Sequence, residues 1–252
     1  PSRRRASCCM RTPTSSSSAI PVSEQMPAGV AEKSAKTHTE LGALYLEAGN
    51  FAVALEESRY AAATDPNYAP AYNLMGLVHL MLNETSQAKG AFERAIQLAP
   101  SDPQIANDYG WFLCVSGREQ EAFKYFETAS RNPLYRTPTR PYTNAGLCYL
   151  RIKDDKSAEM NFQRAVLLDG SNAQATYHLA SLSYKRGDYF NAKKLLGELH
   201  KLIEPNAESL WLGVRIERKI GDRQAEAGFS SQLRRKFAGT PEHQALMQGK
   251  FE

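Results

Sequence analysis

No run of about 18 apolar residues occurs anywhere in the chain, so no segment is fit to cross a bilayer as a helix. Charge of one sign is almost as scarce. Lys and Arg number 31 against 27 Asp and Glu, and a net charge of +4 is too small to argue for nucleic acid. The short basic clusters, Lys193-Lys194 and Arg234-Arg235-Lys236, read as solvated helix faces. Histidine is sparse and scattered: His38, His79, His178, His200 and His243 have no metal-ligand spacing. His38 and His79 fall where packing is the expected role. No glycine loop of the phosphate-binding kind is present, because the glycines fall at helix crossings and in turns such as Gly49-Asn50, Gly117 and Gly221-Asp222. Cys8-Cys9 lacks the two-residue gap of a redox motif. No cofactor, metal or catalytic residue is expected, and the chain does not read as an enzyme.

What is abundant is regularity. Gly42, Gly76 and Gly110 are 34 residues apart, and Gly146 follows 36 later. Ala54, Ala88, Ala122 and Ala158 keep those intervals, as do Ala61, Ala95, Ala129 and Ala165. Phe92, Phe126 and Phe162 each stand four residues beyond the first alanine of their units. Within a unit, Tyr72, Met75, Gly76 and His79 share one helical face, and Ala88, Phe92 and Ala95 share another. Small residues at fixed places let two helices cross closely. This stride with these residues is the signature of the tetratricopeptide repeat, a helix–turn–helix unit that stacks. The expected fold is all-α: a right-handed superhelical solenoid of about six repeats plus a short C-terminal helix from Pro241. The units fall near 35–68, 69–102, 103–138, 139–172, 173–205 and 206–239. The third is two residues longer through Asn132 to Pro138, and in the fifth Ala180 replaces the glycine.

Residues 1–34 are expected to be a flexible tether, with Ser15 to Ser18 flanked by Pro13 and Pro21. Ala6-Ser7-Cys8 has the form that ends a bacterial lipoprotein signal, while Arg3-Arg4-Arg5 stands where the apolar region of such a signal belongs. Lipidation of Cys8 and an accidental match both stay open. Cys114 and Cys148 fall late in the first helices of units 3 and 4. Their repeat positions point about 200° apart around neighbouring helices, so a disulfide is geometrically plausible, with two buried thiols as the alternative.

The first helix of each unit lines the inner surface of such a stack. The candidate partner-binding groove is Thr39, Asn73, Leu77, Leu80, Met81, Asn107, Trp111, Arg140, Arg151, Tyr177 and Tyr184. Asn73 and Asn107 could each bond the backbone of an extended peptide as donor and acceptor. Leu77, Leu80, Met81 and Trp111 would form an apolar strip beside them. A clamp for a C-terminal carboxylate, as in co-chaperone repeats, is disfavoured by the acidic Glu40 and Asp108.

The segment Asn107-Asp108-Tyr109-Gly110-Trp111-Phe112-Leu113 resembles the family of type IV pilus biogenesis and stability lipoproteins. So does the last unit, from Leu212-Gly213-Val214-Arg215 through Gly221-Asp222 to Gln232-Leu233-Arg234-Arg235. That resemblance implies a lipid-anchored pilotin on the periplasmic face of the outer membrane of a Gram-negative bacterium. It further implies a partner from the pilus machinery, either the secretin during assembly or another component that keeps fibres stable. Contact with a membrane would come only through the N-terminal anchor, and an oxidising periplasm would suit the Cys114–Cys148 bond. The rival reading is a cytosolic adaptor or co-chaperone.

Overall fold

A computed structural model of the chain describes residues 28–133 and 135–251. Among these residues it contains thirteen α-helices and no strand. Twelve of the helices form six antiparallel pairs: α1 (Ala28–Glu47) with α2 (Phe51–Thr64), α3 (Ala69–Met81) with α4 (Thr85–Leu98), and α5 (Pro103–Val115) with α6 (Glu119–Arg131). They continue as α7 (Arg140–Arg151) with α8 (Asp155–Leu168), α9 (Ala173–Lys185) with α10 (Tyr189–Leu202), and α11 (Ala207–Ile220) with α12 (Arg223–Lys236). The short α13 (Pro241–Met247) packs on α11 and α12. Helix α1 begins seven residues before the solenoid boundary expected at 35, so residues 28–34 are helical. The remainder of the expected tether, with Cys8 and Cys9, lies outside the described residues.

Each second helix wedges between its own partner and the first helix of the next unit. First helices also meet across units, α1 with α3, α3 with α5, α5 with α7 and α9 with α11, so they line the inner side of the stack. The repeated alanines explain the close approach. Ala54, Ala61, Ala88, Ala95, Ala122, Ala129, Ala158 and Ala165 are all fully buried. The glycines are needed for a more particular reason: a Cβ on Gly76, Gly110 or Gly146 would meet the ring of Phe92, Phe126 or Phe162 at 2.6–2.9 Å. Ring and glycine form one interlocking pair in each of these three units, and each buried ring contributes about 1.5–3 kcal/mol over exposure.

The turns between paired helices repeat the stride in backbone form. Gly49, Asn83, Gly117, Lys153, Gly187 and Gly221 all adopt positive φ, at 34-residue steps broken only by the 36 between Gly117 and Lys153. A side chain then caps several second helices. Asp154 accepts from the Ser157 amide, Asp188 from Asn191 and Asp222 from Ala225. Two units depart from the pattern. In unit 5, Ala180 is accommodated because Leu196, not phenylalanine, occupies the facing position and is 2 % exposed. The longer end of unit 3 is filled by Tyr135, which packs on Ala106 and Ala129 and donates to Gln104 Oε1 at 3.3 Å. At the C-terminal end Leu246 of α13 covers Leu210, Trp211, Val214 and Leu233, closing a face that a seventh repeat would otherwise bury.

Candidate functional site

The inner helices place the expected groove residues in three different environments. Leu77, Leu80 and Trp111 are half-buried and pack on one core cluster built around Phe92, Phe112 and Phe126. Met81, 57 % exposed, extends that strip from the end of α3. Leu77, Leu80 and Met81 lie on α3, and α3 meets α5, which carries Trp111.

The two asparagines do not join it. Asn73 is 6 % exposed and Asn107 is fully buried, and their amide nitrogens are engaged within the protein, while Asn73 Oδ1 is buried without a hydrogen-bond partner. Asn73 Nδ2 donates to Asp108 Oδ2 at 2.9 Å, Asn107 Nδ2 donates to Asp108 Oδ1 at 3.1 Å, and Asn144 Nδ2 donates to Asn107 Oδ1 at 3.0 Å. Gln104 Nε2 adds a fourth bond, to Asp108 Oδ2 at 2.8 Å. The expectation that Asn73 and Asn107 face a peptide is therefore corrected. A buried carboxylate needs donors, and side-chain amides of units 2 and 3 supply them, while Asn144 of unit 4 extends the polar seam through Asn107. Sequence offered one signal for this, since Asp108 lies next to Asn107 and one repeat from Asn73.

The remaining candidates are dispersed. Thr39 turns its hydroxyl back to the Ala35 carbonyl at 2.8 Å. Arg140 stands 3.8 Å from Asp108 and Arg151 stands 3.8 Å from Glu119, each about half exposed. Tyr177 and Tyr184 are half-buried on α9, where burial raises the Tyr177 hydroxyl above its usual pKa. Histidines take up polar as well as packing roles: His38 Nδ1 and His79 Nδ1 each lie 2.6 Å from a glutamate, Glu57 and Glu84. His178 stacks on Phe162 at 4.9 Å, and burial pushes its pKa down, favouring the neutral ring. Lys193 is more than a solvated surface charge, because it binds the buried Glu217 at 2.8 Å and Asp222 at 3.5 Å.

Cys114 and Cys148, both fully buried, are joined as a disulfide with their Cα atoms 5.8 Å apart. The bond ties α5 to α7 across the junction that the two extra residues lengthen. Among the described residues no cluster of three His, Cys, Asp or Glu could hold a metal, and no helix is long and apolar enough to cross a membrane.

Models of the tetratricopeptide repeat match residues 39–103, 73–134 and 139–172, just over half of the chain. The chain is a tetratricopeptide repeat protein. As such it is a scaffold and not an enzyme, and more particular similarities lie within bacterial pilus systems. The type IV pilus assembly protein PilF of Pseudomonas aeruginosa is 29% identical over 207 residues, which is 82% of either chain. The crystal structure of PilW, a widely conserved type IV pilus biogenesis factor, superposes with a TM-score of 0.78 at 26% identity, covering 84% of this chain and 98% of that one. The structure of P. aeruginosa PilF gives the same TM-score at 27% identity, covering 87% and 99%. The tetratricopeptide repeat protein described here is thus related to the PilF and PilW repeat proteins over almost their whole length.

Proposed function

We propose that this chain is a polypeptide-binding scaffold of type IV pilus biogenesis, lipid-anchored at Cys8 on the periplasmic face of the outer membrane. There its inner face holds a pilus-machinery protein, the secretin during assembly or a component that stabilises the fibre. The observation that supports the reading is the set of Leu77, Leu80, Met81 and Trp111, apolar side chains left partly open on first helices of a fold that superposes on PilW and PilF over 84% and 87% of this chain. A preformed strip of this kind captures a partner segment at low ordering cost, since the helices that carry it are already fixed. The disulfide favours an oxidising compartment over the cytosol, which counts against the adaptor reading.

The test is complementation of a strain lacking the protein, scored for surface pili and for heat-resistant secretin multimers. Wild type is expected to restore the phenotype, and Leu80→Asp/Met81→Asp to fail while accumulating normally. Loss of pili with normal multimers would assign the role to the fibre, and loss of both would assign it to the secretin. Normal pili in the deletion strain would overturn the proposal.

A further inference from the structure

The end of the stack carries a cation cluster of which only Arg218 is paired with a carboxylate among the described residues. An open pocket of about 750 Å³ lies between α9, α11 and residues 249–251, lined by Tyr184, Arg215, Arg218, Lys219, Lys250 and Phe251. Arg215 is held between two rings, with its guanidinium carbon 5.0 Å from the Tyr184 centroid and 5.8 Å from that of Trp211. Its Nε is buried without a hydrogen-bond partner. Arg218 lies over the Phe251 ring at 3.9 Å and already shares a charge with Glu226 at 3.0 Å. Arg215, Lys219 and Lys250 form no ion pair with any described residue, whereas Arg140, Arg151, Lys185 and Arg186, on or beside the inner helices of units 4 and 5, are paired with Asp108, Glu119, Asp155 and Glu159.

We propose that this terminal pocket binds an acidic polypeptide segment, seating one carboxylate on Arg215 and a second between Lys219 and Lys250. A guanidinium fixed by stacking presents its donors as a rigid fork, which suits the planar carboxylate and lowers the entropy lost on binding. The pocket's size lies in the range of about 300–1,000 Å³ typical of ligand sites. Tyr184 lies on α9, a first helix like those that carry the apolar strip, and three cations free of ion pairs to described residues are complementary to a segment rich in carboxylates, so an acidic peptide is the occupant. The proposal rests on the reading of the inner face as a polypeptide groove, but it requires no particular pilus partner.

The test is fluorescence anisotropy of fluorescein-labelled hexaglutamate titrated with the intact purified protein, with labelled hexaglutamine as the uncharged control. Hexaglutamate is expected to bind and hexaglutamine not to. Both Arg215→Gln and the exposed pair Lys219→Gln/Lys250→Gln should weaken binding by about tenfold or more, as loss of a charge-assisted contact does. Arg234→Gln/Arg235→Gln removes the same charge as the lysine pair from an exposed stretch of α12 and should change affinity by less than about twofold. Thermal melts of each variant exclude misfolding, and the lysine pair keeps the test valid if Arg215→Gln unfolds. Equal weakening by the α12 pair would reduce the effect to net charge and overturn the site. So would absence of hexaglutamate binding, or displacement of the peptide by inorganic phosphate with the same dependence on Arg215. Those failures would leave the pilus-scaffold reading standing, since it is scored by complementation through the strip on α3 and α5.

Discussion

The junction of units 3 and 4 and the junction of units 5 and 6 are built from the same repeat, yet they use polar and small residues in opposite ways. In the first, every distinctive group is turned inward. Cys114 bonds Cys148, and Asp108 receives amide donors from Asn73, Gln104 and Asn107 with Arg140 nearby. In the second, the stride continues but its content changes. The positions of Asn73 and Asn107 become Thr143 and then Tyr177, and those of Asp108 and Asn144 become His178. The seam of amides thus gives way to aromatic packing, and Arg215 is left stacked but unpaired. A repeat fold fixes where a side chain stands; whether it serves the stack or a partner depends on what the adjoining units supply.

The largest expected effect tests how firmly the middle junction is fastened. Cys114→Ala/Cys148→Ala opens a loop of sequence separation 34 and should lower unfolding free energy by about 3–4 kcal/mol, read from a lower denaturant midpoint with a slope that rises as the denatured chain expands. No change in midpoint would mean that packing alone holds α5 to α7.

A second effect contrasts units 4 and 5 directly. Gly146→Ala drives a Cβ into the Phe162 ring at 2.6 Å and should cost about 1–3 kcal/mol. Ala180→Gly, where Leu196 faces the position, should cost only about 1 kcal/mol, from helix propensity. Pairing Gly146→Ala with Phe162→Leu should recover part of the first loss, and failure to do so would show that the ring is not the obstacle.

The smallest effect is expected on acidification. His178 and His200 both have pKa values lowered by burial, so the unfolded chain binds protons more readily than the folded one below about pH 6.5. Their contribution is present at neutral pH and is lost as pH falls below the unfolded value. His178→Phe should flatten part of the decline in melting temperature between neutral and mildly acid pH, and an unchanged slope would exclude His178 as its source.

The fold was legible because the repeat writes its packing rule along the chain: a glycine under a ring in units 2, 3, 4 and 6, alanines where helices cross, a positive-φ residue at each turn. Even the irregularities were visible, in the two extra residues before Pro138 and in Ala180. Of the candidate groove, the apolar members Leu77, Leu80 and Trp111 stay partly open beside the core cluster and Met81 is exposed, as apolar residues on adjoining first helices were expected to be. For Asn73 and Asn107 the reading failed, since a polar side chain on an inner helix can serve a ligand or a neighbour with the same sequence. Arg215 stands on the same stride as Leu77 and Trp111, beyond the expected groove that ended at Tyr184, and the stride does not record that Tyr184 and Trp211 flank its guanidinium.

By itself, then, the sequence determined the stack, its period and its tightest contacts, because those depend on side-chain size at fixed intervals. Tertiary structure decided which polar groups are occupied. The bonds that join one unit to the next are settled over a few ångströms between residues such as Asn73 and Asp108 or Asn107 and Asn144, and no periodic pattern records whether Asp108 or an incoming peptide will claim a given amide.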